Sequence, residues 1–172
     1  THDAMAPAMT LTSTDVADEG IYNAAVSMTF TSNEITSDFT VSDISVTNAV
    51  ASGFVGSNGS YTATITPDLD GVVSVQVASD VFSDAASNTN TASNTYSWTH
   101  DATAPAMTLT STDVVDGGIY NGSVTLTFTS SEVTSDFTVS DISVSNAVVS
   151  GFSGSNGSYT ATITPDSDGV VS

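Results

Sequence analysis

Shifted by 98 residues, this 172-residue sequence lies on itself without a gap. Thr1-His2-Asp3-Ala4 falls on Thr99-His100-Asp101-Ala102, the register holds to Ser74 on Ser172, and 61 of the 74 aligned pairs are identical. Self-similarity at a fixed period signals tandem architecture, and a period well beyond the roughly 20–50 residues of a solenoid unit means that each copy buries a core of its own. The expected domains are therefore residues 1–98 and 99–172. The second copy reaches only the counterpart of Ser74, so the 24 residues matching 75–98 are not in it. Two explanations stay open. Either the sequence is an excerpt of a longer tandem array, or a neighbouring subunit donates the missing strand and the chain is the subunit of a self-assembling filament.

Within a copy the apolar period is two, which specifies strands. Met9 and Leu11 alternate with Thr10 and Thr12, Val26, Met28 and Phe30 with Ser27 and Thr29, and Tyr61, Ala63 and Ile65 with Thr62 and Thr64. Further strands are expected at 44–47, 50–55, 71–77 and 91–98, the last with Tyr96 and Trp98 facing inward, which makes seven. Asn58-Gly59 and Asn156-Gly157 mark tight turns that need positive φ. No stretch has a helical period. The expected fold class is all-β: tandem sandwiches of about seven strands, the second incomplete. Substitutions between the copies sort by side, since Met28 becomes Leu126 and Ile35 becomes Val133, whereas Val55 and Leu69 become Ser153 and Ser167 and so belong on the surface.

Nineteen carboxylates face no lysine and no arginine, a net charge of -19. Direct binding of nucleic acid or of an anionic membrane surface needs those basic side chains, so both partners are excluded. There is no cysteine for a disulfide, a zinc thiolate or a thiol nucleophile. Serine and threonine, 29 and 28 in number, are about a third of the chain and suit the outer faces of strands. No apolar run has membrane length and no basic leader with an apolar stretch is present, so the sequence reads as the interior of a secreted chain.

Topology gathers these acids. If consecutive strands run antiparallel, successive loops fall at alternate poles. The pole where the chain enters, here the lower one, collects Asp3, the loop carrying Glu34, Asp38 and Asp43, and the loop carrying Asp80, Asp84, Asn88 and Asn90. The upper pole collects Asp15, Asp18, Glu19, Asp68 and Asp70, which the junction would set against Asp101, Glu132, Asp136 and Asp141. Two like charges about 4 Å apart repel by about 4 kcal/mol at an effective dielectric of about 20. Hard oxygen ligands in flexible loops suit calcium, which takes six to eight of them, so Ca2+ is the expected cofactor. The order of acids is not that of an EF-hand loop. The plainer reading is that Asp and Asn are common turn residues and that acidity keeps the protein soluble.

Several segments together carry a family resemblance: Asp101-Ala-Thr-Ala-Pro105, Phe128-Thr-Ser-Ser-Glu132, Asp141-Ile-Ser-Val, Gly151-Phe-Ser-Gly-Ser-Asn-Gly-Ser-Tyr159, Pro165-Asp-Ser-Asp-Gly169 and Asp84-Ala-Ala-Ser-Asn88. In that order they resemble the bacterial immunoglobulin-like (Big-type) tandem repeats of giant secreted adhesins and biofilm surface proteins, over essentially the whole chain. The resemblance implies an extracellular, cell-surface stalk or spacer, not an enzyme, in which calcium stiffens the modules and their junctions. Its partners would be neighbouring repeats and a cell-surface or matrix target; a carbohydrate- or surface-binding adhesion module is the alternative. Two departures stand out. Ser87 occupies a position where the family usually has glycine, and Gly117 replaces Glu19 in the second copy.

Other constellations read more simply. His2 and His100 are one position seen twice and read as solvated linker residues. Asp68 and Asp70, two apart in a Pro-Asp-x-Asp-Gly turn, are explained by turn chemistry before glycoside hydrolysis. Asn58-Gly-Ser60, Asn121-Gly-Ser123 and Asn156-Gly-Ser158 match a glycosylation pattern but read as turns. The Thr62-Thr64-Thr66 ladder is ordinary for a half-buried strand.

Overall fold

A computed structural model describes residues 2–172; Thr1 lies outside the described residues. The chain divides into two compact units, Thr1–Thr103 and Ala104–Ser172.

In the first unit the alternating segments form two four-stranded sheets. One contains β1 (Met9–Ser13), β3 (Val26–Ser32), β5 (Ala49–Ser57) and β6 (Ser60–Pro67), in the order β1-β3-β6-β5. The other contains β2 (Gly20–Tyr22), β4 (Ile44–Thr47), β7 (Gly71–Val77) and β8 (Tyr96–His100), in the order β2-β8-β7-β4. That strand order, with the first edge strand divided between the sheets, is an immunoglobulin-like sandwich. The period of two does the sorting: Val26, Met28 and Phe30 are fully buried, as are Val73, Val75 and Val77 opposite them. Trp98 and Tyr96 point inward as the alternation requires. Val55 and Leu69, which the second copy replaces by serine, are exposed. Fully burying each large apolar side chain stabilises the fold by about 1.5–3 kcal/mol.

Three details differ from the sequence expectation. The three-residue strand β2 was not foreseen, and it pairs in parallel with β8. The last strand begins at Tyr96, not Thr91. Instead of strand pairing, Asn94 docks on the edge strand β1 with its side-chain amide: Oδ1 accepts the Leu11 N–H (2.9 Å) and Nδ2 donates to the Leu11 carbonyl (3.2 Å). His100 is not a solvated linker residue: it closes β8, with its Nδ1 3.2 Å from the Tyr22 carbonyl.

An aromatic cluster lies beneath the lower pole. Phe39 makes edge contacts with Phe54, Tyr61 and Phe82 at centroid distances of 5.5, 5.1 and 5.2 Å. Two of these rings come from loops, Phe39 before the one-turn 3-10 helix Val41–Asp43 and Phe82 after β7, so the loops are anchored into the core. The Tyr61 hydroxyl donates to the Thr36 carbonyl (2.7 Å). Asn90, only 2 % exposed, accepts from the N–H groups of Val81 and Phe82 and donates to the carbonyls of Ala78 and Thr91. Its amide is a buried template for the long β7–β8 loop, and with all these bonds made it carries no desolvation penalty.

The second unit contains β9 (Met107–Thr110), β10 (Val124–Ser130), β11 (Ala147–Ser155) and β12 (Ser158–Pro165), in one sheet ordered β11-β12-β10-β9. It reproduces the β5-β6-β3-β1 sheet of the first unit. Local devices repeat as well, including the Tyr159 hydroxyl bond to the Thr134 carbonyl (2.6 Å) and the Phe137–Tyr159 edge contact (5.1 Å). The inner face lacks a facing sheet, and Leu109 is 54 % exposed where Leu11 is 1 % exposed.

Both departures from the family pattern fall at left-handed backbone positions. Ser87 has φ +69°, a left-handed conformation that costs an L-residue about 1–2 kcal/mol and glycine nothing. Glu19 has φ +63° and Gly117, at the same place in the second copy, φ +71°, so that replacement relieves strain. Ser87→Gly is expected to stabilise the first unit by about 0.5–1 kcal/mol, read as a higher urea midpoint. A lower midpoint would show that the Ser87 side chain makes a contribution that outweighs its backbone strain.

Candidate metal centre

Three segments converge at the lower pole. Asp3 precedes β1, Glu34 follows β3, and Asp84 lies in the β7–β8 loop; one carboxylate oxygen from each falls within 4.8 Å of the others. Among the described residues this is the one group of three such ligands. Local bonds aim each acid. Asp84 Oδ1 accepts the N–H groups of Ala86 and Asn88 (2.8 Å each), and its Oδ2 accepts Asn88 Nδ2 (2.8 Å). The left-handed Ser87 is what lets this turn fold back. Asn88 Nδ2 also lies 3.4 Å from the Asp3 carbonyl, and Asp3 Oδ1 accepts the Met5 N–H (3.1 Å). The Glu34 backbone rests on the β5–β6 hairpin tip: a Cβ at Gly59, where φ is +85°, would lie 2.6 Å from the Glu34 carbonyl oxygen. Asp38 lashes the two loops together by accepting the Ser83 N–H (3.0 Å) and hydroxyl (2.8 Å).

Crowding shows in the protonation equilibria. Partial desolvation, then the charges of Asp3 and Asp84 and a hydrogen-bonding contact with Asp84, hold Glu34 above the ordinary glutamate range. Asp84 is held below the ordinary range, first by Asn88 Nδ2 and then, against a smaller desolvation, by the Asn88 and Ala86 N–H groups. The pair thus divides its roles, with Asp84 the firm anion and Glu34 the acid that resists ionising beside it. No lysine or arginine exists to relieve it.

The donor set is all oxygen: three carboxylates in an open depression shared with Met5, Ile35 and Ala85, and the Asp3 carbonyl beside Asn88. Such a set fits a hard cation of flexible coordination, calcium above all, and offers no nitrogen or sulfur ligand for zinc.

The other nominated acids do not join this group. Asp43 Oδ2 accepts the Thr40 N–H (2.7 Å) and hydroxyl (2.9 Å), capping the 3-10 turn, and Asp141 does the same for Thr138 (2.8 and 3.0 Å). The Thr-Val-Ser-Asp spacing is a capping-box pattern, and that signal was available in the sequence. Asp15 Oδ2 accepts the Ser27 N–H (2.7 Å). Asp18 is not at the upper pole but beside the middle of β8, where its Oδ1 accepts the Ser97 N–H (2.8 Å). The reason is that the edge strand switches sheets and doubles back, with Val16 buried at the bend. Asp68 is in the β6–β7 turn, its N–H donating to the Asn48 carbonyl (3.0 Å). Asp70 accepts from Ala102 and Thr103, and Asp101 Oδ1 accepts the Thr103 N–H (3.3 Å). Glu132, the counterpart of Glu34, repeats its backbone geometry with N–H to Ser130 Oγ (3.4 Å) and its carbonyl against Gly157.

A family model described as a bacterial Ig-like domain matches residues 3–99 and again residues 101–171. No curated protein matches the chain. Among solved structures, that of invasin, titled a bacterial integrin-binding protein, aligns with a TM-score of 0.46 and 20 % identity, over 95 % of this chain and 35 % of that one.

The shifts of Glu34 and Asp84 have opposite signs in stability. A raised folded-state pKa means that the folded protein binds the proton better, so in chelator stability rises as pH falls through the Glu34 value. A lowered one contributes stability that is present above the ordinary aspartate value and is lost as pH falls through the Asp84 value. Glu34→Gln removes one like charge, and is expected to raise the melting midpoint in chelator at pH 7 and to remove its rise on mild acidification. A lower midpoint in chelator would contradict the repulsion argued for this cluster.

Proposed function

Because this chain belongs to the bacterial Ig-like domain family, we propose that it is a structural spacer of an extracellular bacterial surface protein, a stalk module whose loops are stiffened by calcium. The observation that carries this reading is the Asp3–Glu34–Asp84 group, an uncompensated set of carboxylates built from three separate segments at one pole. A bound cation would tie the segment before β1 to the β3 and β7 loops, so the start of the module could not swing freely. The residues that would hold it are Asp3, Glu34 and Asp84, with Asn88 orienting Asp84. In this reading the work is mechanical: a cation held by three separate segments restrains the start of the module. No helix among the described residues is long and apolar enough to cross a membrane. The partners in this reading are neighbouring repeats and a target on a cell surface or in a matrix.

Two measurements test the two halves. Calcium at millimolar concentration, the range of extracellular modules, is expected to raise the calorimetric midpoint over that in chelator, and Glu34→Gln to weaken the half-saturating concentration by about ten-fold. An unchanged midpoint rejects the cation. Small-angle scattering is expected to give a longer maximum dimension with calcium than with chelator, and equal dimensions would reject the stiffened spacer.

A further inference from the structure

The exit of the first unit carries contacts that neither the sandwich nor the carboxylate cluster uses. β8 ends at His100, yet the next three residues remain fastened. Asp101 donates its N–H to the Tyr22 carbonyl (3.2 Å), Ala102 donates its N–H to Asp70 Oδ1 (2.8 Å), and the Thr103 hydroxyl donates to Asp70 Oδ2. His100 supports the same carboxylate from the strand side, with Nε2 3.8 Å from Asp70 Oδ1. The turn that presents Asp70 is itself held in place, because Asn48 accepts the Asp68 N–H (3.0 Å) and donates its amide to the Leu69 carbonyl (2.8 Å). Residues 101–103 are exposed and bury no apolar side chain, so these bonds do nothing for the core. What they order is the path of the chain after its last strand.

We propose that Asp70 is a latch that fixes the direction in which the chain leaves the first unit, and that the side chain at position 103 decides whether the latch closes fully. The internal repeat isolates that position. The segment Asp-Ala-x-Ala-Pro occurs twice, as residues 3–7 and 101–105, and x is Met5 in one and Thr103 in the other. A threonine hydroxyl donates to a carboxylate, whereas a thioether has no proton to donate. Hydrogen bonds to an ionised acceptor are about twice as strong as neutral ones, and here two converge on one carboxylate. The second copy retains the acceptor as Asp168, so the variable part of the device is the donor. Joint stiffness along an array of such modules is then set repeat by repeat at one residue. The biological weight of the latch rests on the spacer reading, but the latch contains no cation and stands apart from it chemically.

The test is amide hydrogen exchange on the whole 172-residue chain, in chelator throughout. The Ala102 amide is expected to exchange at least about ten-fold more slowly than an unstructured amide and to lose that protection in Asp70→Ala. Thr103→Val, which keeps the shape without the hydroxyl, and Thr103→Met are expected to speed Ala102 exchange about three-fold or more, with the core amide of Val75 unchanged. If Asp70→Ala also exposes Val75, the Thr103 variants decide. An Ala102 amide that exchanges at the unstructured rate in the parent, or that none of the variants accelerates, overturns the latch. Scattering dimensions that ignore calcium would reject the spacer while leaving this result standing.

Discussion

No side chain other than two histidines can carry a positive charge in this protein, and nineteen carry a negative one. Every carboxylate must therefore be met by an N–H or O–H group, by water, or by a cation from outside. Hydroxyl groups meet four of them, Ser83 donating to Asp38, Thr40 to Asp43, Thr103 to Asp70 and Thr89 to Asp80 (2.6 Å). Backbone N–H groups meet others, that of Ser27 donating to Asp15, of Ser97 to Asp18 and of Ala102 to Asp70. Most of these bonds bridge residues far apart in sequence, so acids do the tying that basic side chains do in other proteins. At Asp3, Glu34 and Asp84 carboxylate also faces carboxylate.

Much of the sandwich was legible in advance because its signal is local. A period of two specifies a strand and its inward face wherever one side is buried, and Asn-Gly specifies a tight turn. That Asp3 shares a pole with the loops carrying Glu34 and Asp84 followed from the alternation of loop ends, but which of the side chains gathered there meet depends on loop conformation. What escaped depends on contacts between segments that no local pattern encodes. The short β2 strand exists because the edge strand changes sheets, and Gly20-Ile21-Tyr22 has no periodicity long enough to announce it. Asp18 was misplaced for the same reason. Asn94, which replaces a strand partner of β1 with its own amide, gives no sequence signal, because an asparagine in a loop is unremarked until its partner is known. The caps of Asp43 and Asp141 were readable from Thr-Val-Ser-Asp but were outweighed by a grouping based on charge alone.

The two copies act as an internal control. Nearly identical sequences keep their local devices, including the caps, the tyrosine–threonine bonds and the glycine-dependent hairpin tips. They differ where burial depends on a facing sheet, as Leu11 and Leu109 show. Local geometry in this fold is thus set by turns and side-chain bonds to the backbone, while core closure is a property of two sheets together.

The account's central claim is that the lower-pole carboxylates form a cation site, and crystallography of the protein grown in calcium tests it most directly. Anomalous scattering should show a peak bound by oxygens of Asp3, Glu34 and Asp84, with Asn88 still bonded to Asp84. At saturating calcium, no anomalous peak and three carboxylates turned apart toward solvent would contradict it.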